Sequence, residues 1–67
     1  MKGVPYYYGE FQRELDAFDT SLGCEFRVIS ASQSPREVFL WLESLRVEGK
    51  LPLSMHDLLT DFYWEIA

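Results

Sequence analysis

Carboxylates are the side chains of this sequence best placed to do chemistry, and their spacing narrows which chemistry. Asp57, Asp61 and Glu65 recur at one-turn intervals near the C-terminal end. On a helix, neighbours in such a series stand about 5–6 Å apart, comparable to the phosphate spacing along one nucleic-acid strand. Asp57 falls at a helix start, where negative charge caps the helix. Asp61 and Glu65 come late, where the helix macrodipole disfavours negative charge, and no Lys or Arg occurs among residues 51–67 to pair with them. Trp64 sits beside them on what the periodicity makes a polar face. Two readings of it stand: an exposed aromatic anchor for a partner, or a residue buried by the Tyr-rich segment. A second acidic group, Glu10, Glu14, Asp16 and Asp19, faces only Arg13. It reads as a solvated helix face or as a second contact surface.

Other chemistries find little support. His56 is the only histidine, and the only cysteine is Cys24, so the three or four ligands of a metal site are not supplied by a Cys/His cluster. Nothing marks a nucleophile that would complete a Ser-His-Asp arrangement. Cys24 alternates with Phe26 and Val28 and reads as a small buried hydrophobe. Tyr6, Tyr7 and Tyr8 would suit base stacking, but single-strand binders pair their aromatics with a basic groove, which this chain lacks. No catalytic residue, cofactor or metal is expected.

Composition sets the frame for these groups. The chain has 67 residues, one small domain spanning 1–67, and a domain of that size buries only about 60% of the surface its unfolded chain exposes. A lone cysteine gives no internal disulfide and points to a reducing compartment. The opening MKGVPYYYGE lacks the apolar core of a signal peptide, and the longest apolar run, Val38 to Leu42, is far short of a membrane span. The expectation is a cytoplasmic protein with no membrane contact. Net charge is −5, and it is uneven: residues 10–22 and 51–67 each carry −3, while residues 24–50 balance. Two acidic ends repel nucleic acid and favour a basic partner.

The elements that must position the acids follow from periodicity. Phe11, Leu15, Phe18 and Leu22 form one helical stripe, predicting a helix over 10–22 that stops at Gly23. Cys24, Phe26 and Val28 alternate with Glu25 and Arg27, the period of a half-buried strand over 24–31. Its natural partner is the segment 4–8, with Val4, Tyr6 and Tyr8 on one face and Pro5 holding it to an edge. Ser34, Pro35 and Glu37 predict a capped helix start. That helix, 35–48, places Val38, Leu42 and Leu45 on one stripe with Trp41 at its margin, and its all-round apolar first turns mark it as the central element. Ser54 and Asp57 repeat the capping signal, with Leu53 and Leu58 spaced as a hydrophobic staple. Met55, Leu58, Leu59, Phe62 and Ile66 then form the inward face of a last helix. The predicted class is α+β, mostly helical: three helices with one or two short strands.

The whole-chain profile resembles the small acidic inhibitors encoded by bacteriophages and mobile elements, the anti-CRISPR proteins among them. The resemblance lies in the short chain, acidic balance, dense aromatics and absence of enzyme motifs. It implies a non-enzymatic inhibitor that binds a protein with a basic nucleic-acid-binding surface, such as a Cas surveillance complex, through an acidic surface imitating DNA. The competing expectation is a small adaptor or regulatory subunit that docks through apolar helix faces.

Overall fold

Asp19 divides in two what the sequence pattern presents as one helix. In the computed structural model, which describes residues 2–67, helix α1 runs Val4–Phe18 and helix α2 runs Thr20–Ser32. Asp19 between them is extended (φ −157°, ψ 110°), and its carboxylate caps α2, accepting from the backbone N–H of Ser21 and Leu22 at 2.9 and 3.5 Å. Helix α3 covers Pro35–Val47. A 3₁₀ turn, Leu53–Met55, leads into helix α4, His56–Ile66.

The α+β expectation is thereby corrected: the described residues contain only helices and turns, with no strand. Both segments with a strand-like pattern are helical. Residues 4–8 open α1, where Pro5 in the first turn loses no hydrogen bond. Val4, Tyr7, Tyr8, Phe11 and Leu15 continue one helical stripe into the core. Residues 24–31 lie inside α2, whose inward stripe is Leu22, Phe26 and Ile29. Cys24 and Val28, taken as companions of Phe26 on a buried strand face, are exposed. The alternation spans only five residues, 24–28, while Leu22, Phe26 and Ile29 recur at helical spacing, and an isolated strand would leave its backbone groups unpaired. Gly23 is not a helix stop. It is buried within α2 against α1, where an added Cβ would lie 1.9 Å from Asp16 Oδ1 and 3.1 Å from Asp16 Cα.

The start of α3 is as predicted, with Ser34 Oγ accepting from the Glu37 N–H at 3.4 Å. Its end is a glycine-terminated hydrogen-bond pair: Gly49 (φ 75°) donates to the Arg46 carbonyl at 3.1 Å and Lys50 to the Leu45 carbonyl at 2.9 Å. Val38, Leu42 and Leu45 are buried. Yet α3 is not a hub. The main contacts run α1 to α2, α2 to α3, α3 to α4 and α4 back to α1, so each helix has two close neighbours. Two phenylalanines close this ring. Phe62 of α4 packs on Tyr7, Tyr8 and Phe11 of α1 and on Phe39 of α3, at centroid distances of 5.6, 5.9, 5.4 and 6.5 Å. Phe26 of α2 touches Tyr8 and Phe11 of α1 and Trp41 of α3, at 5.7, 6.0 and 6.1 Å.

The α4 start is also corrected. Ser54 lies within the 3₁₀ turn, Met55 occupies the capping position without a side-chain bond, and Leu53 is exposed and forms no staple. The Met55 N–H donates to the Pro52 carbonyl at 2.9 Å, so the backbone turn does what a Ser54 cap was expected to do.

Candidate functional site

Met55, Leu59 and Phe62 hold α4 against the core. A helix anchored on that face presents Asp57, Asp61 and Trp64 outward, at i, i+4 and i+7, and all three are exposed, with Glu65 half-buried beside them. Trp64 is 70% exposed and meets Tyr63 edge-on at 5.2 Å. The Tyr-rich segment does approach α4, but it packs on Phe62 and leaves Trp64 open.

Asp61, Trp64 and Glu65 line one open depression of about 440 Å³ together with Lys2 and Tyr7. The sequence pattern places neither Lys2 nor Tyr7 beside the α4 acids. The signal that finds Tyr7 is its four-residue spacing to Phe11 on the α1 stripe. Lys2 brings a cation to a region that lacks one in the local sequence. Its ammonium sits 5.0 Å over the Tyr6 ring, and none of the ion pairs among the described residues involves Asp57, Asp61 or Glu65.

Tyr7 is only 5% exposed. Burial raises its hydroxyl pKa above the ordinary phenol value; the Glu65 charge adds to the rise, Lys2 opposes it and Asp61 adds again. The folded chain thus holds this proton more tightly than the unfolded chain. The stability so contributed is whole below about pH 10 and is lost as pH climbs beyond it. Burial likewise raises the hydroxyl of Tyr8.

The acids of the first acidic group are placed differently. Glu10 pairs with Arg13. Asp16 accepts from Gln12 Nε2 at 3.0 Å and stands 3.6 Å from the Arg27 guanidinium, while the same Gln12 nitrogen donates to the Gly23 carbonyl at 2.8 Å. Asp19 caps α2. Glu14, half-buried, takes part in no ion pair among the described residues. The structure therefore gathers Asp61, Trp64 and Glu65 into one site, with Asp57 on the same face, and assigns Asp16 and Asp19 to the α1–α2 junction.

A second surface lies between α3 and α4. Phe39, Leu40, Tyr63 and Ile66 line a depression of about 430 Å³, adjoining another edged by Glu43 and Arg46. Leu40 and Val47 on α3 are 52% and 73% exposed. His56 is half-buried, its Nε2 3.4 Å from the Leu51 carbonyl, a contact that closes the turn before α4. No group of three metal-binding side chains occurs among the described residues, and no helix is long and apolar enough to cross a membrane.

No family model, curated protein or solved structure matches this chain.

Proposed function

We propose that this is a non-enzymatic inhibitor that binds a protein partner at its basic nucleic-acid-binding surface, using α4 as an acidic imitation of a nucleic-acid strand. One observation carries the reading. Asp61 and Glu65 have no ion-pair partner among the described residues and share a depression with an exposed tryptophan. Unpaired acids around an aromatic are suited to contact Lys and Arg with an apolar anchor between them. A Cas surveillance complex is one partner of this chemistry, as the class resemblance implies. The protein itself binds neither DNA nor RNA and needs no cofactor for this role.

The test is a pair of charge reversals, Asp61→Lys with Glu65→Lys on α4 and Glu14→Lys on α1. Both should fold, judged by circular dichroism. The α4 variant should lose a captured basic partner, the Glu14 variant should keep it, and duplex DNA and rising salt should both displace the wild type. Retention of the partner by the α4 variant overturns the reading.

The alternative is an adaptor that docks through the α3–α4 surface. It is favoured by the exposed Leu40 and Tyr63, which line the 430 Å³ depression. Binding of that kind would be lost in Leu40→Glu and would change little with salt.

A further inference from the structure

Helix α3 turns one apolar stripe toward the core and a second one away from it. Val38, Leu42 and Leu45 are buried, while Leu40 and Val47, two turns apart, are each more than half exposed. Three depressions on this outer side share lining residues, Phe39 and Tyr63 between two of them, Leu40 and Glu43 with the third. They form one continuous surface from Ile66 of α4 across α3 to Val47. An apolar surface of that extent marks an interaction site, and charge says which occupant suits it. Residues 34–50 hold three acids (Glu37, Glu43, Glu48) and three bases (Arg36, Arg46, Lys50), a net of zero in a chain of −5. Arg36 lines the surface and enters none of the ion pairs among the described residues. Asp61 and Glu65 line a different depression, with Lys2 and Tyr7 of the N-terminal segment. A basic partner gains nothing at a neutral face. A second copy of this chain, which the acidic faces repel, meets no such barrier here.

We propose that this surface pairs with the same surface of a second copy, forming a weak symmetric dimer in which the two α3 helices run antiparallel. The proposal is independent of the α4 reading and goes beyond it. A twofold axis between Glu43 and Ser44 makes the pairing self-complementary, as an interface between identical patches must be. Leu40 lies as far before that axis as Val47 lies after it, so each Leu40 meets the second copy's Val47. Arg36, near the start of α3, comes within about one turn of the second copy's Glu48, just past its end. The Glu43–Arg46 ion pair lies beside the axis, where the second copy's pair runs the opposite way and opposite charges face each other. A stable interface takes about 800 Å² from each partner, close to a fifth of this chain's 4297 Å². A stripe about 20 Å long on α3 with the edge of α4 supplies no more than that, so the dimer is weak and depends on concentration.

The experiment is sedimentation equilibrium of the full chain at concentrations up to about 1 mM. The wild type should pass from monomer to dimer with a dissociation constant in the micromolar range. Raising the salt should tighten the dimer by screening the −5 of each copy, the reverse of what acid-to-base contact gives. Leu40→Glu, folded by circular dichroism, should weaken dimerisation by about tenfold or more, as truncation of a central anchor does. Asp61→Lys with Glu65→Lys should dimerise at least as well as the wild type. Crosslinking checks the register. In a Cys24→Ser background, Ser44→Cys beside the axis should form a disulfide-linked dimer with oxidised glutathione. Ser54→Cys, also exposed but in the turn before α4, should not. A monomer at every concentration, an unweakened dimer in Leu40→Glu, or equal crosslinking of the two cysteine variants overturns the proposal. If the chain stays monomeric while Leu40→Glu loses a captured protein, the surface serves an adaptor and the dimer falls. Capture of a basic partner through the α4 acids is a separate measurement, and its failure leaves the dimer standing.

Discussion

Two stretches of this chain carry the same net charge of −3 and use it in unlike ways. Along α1 and its junction with α2, three of the four acids have partners within the fold: Asp19 caps a helix, Asp16 joins Gln12 and Arg27, and Glu10 holds Arg13. On α4, Asp57, Asp61 and Glu65 form no ion pair among the described residues. The contrast shows that local net charge is a poor guide to a contact surface. What separates structural acids from available ones is whether a backbone N–H or a cation from another turn or helix reaches them, and that depends on how the helices pair.

The largest effect should come from the residue that joins the two regions. Phe62 packs on three rings of α1 and one of α3, so Phe62→Ala should destabilise by about 3–5 kcal/mol. That approaches the whole folding free energy of a small domain. A urea melt with a nearly unchanged midpoint would show that α1 and α4 are held together by something else.

An intermediate effect is expected where the junction acids are structural. The Cβ of Gly23→Ala would meet the Asp16 carboxylate and crowd its Cα. Displacing that side chain breaks its contacts to Gln12 and Arg27, for a loss of about 1–3 kcal/mol. Gly9→Ala on the exposed side of α1, where a Cβ meets nothing within 4 Å, should instead stabilise by about 0.5–1 kcal/mol. Removing the α2 cap with Asp19→Ala should cost about 1 kcal/mol.

The smallest effect should belong to α4. Asp61→Asn with Glu65→Gln should move the thermal or urea midpoint by no more than the equivalent of about 0.5 kcal/mol, as for surface substitutions away from structural contacts. A gain of stability on that scale would indicate self-repulsion among the α4 acids. A loss larger than that of Asp19→Ala would erase the distinction between the two regions.

Much of α3 and α4 was legible from residue order alone. Ser34-Pro35 starts α3 and Gly49 ends it; Val38, Leu42 and Leu45 point inward, as do Met55, Leu59 and Phe62. These signals are local. A cap, a positive φ and a stripe of large side chains act within one or two turns, so sequence spacing states them directly. The outward placement of Asp57, Asp61 and Trp64 follows from the same stripe. The tertiary structure decided the rest. Whether 4–8 and 24–31 were strands or helices turned on what would cover Tyr7 and Phe26, because short apolar patterns fit both periods and burial selects between them. Asp19 looked like one more acid on a face until the close approach of α1 and α2 at Gly23 called for a break there. Lys2 and Tyr7, far from Asp61 and Glu65 in the chain, reach the α4 site only because Phe62 docks α4 onto the first turns of α1. A depression assembled from residues 2, 7, 61, 64 and 65 is a long-range contact, and no local pattern encodes which helices meet.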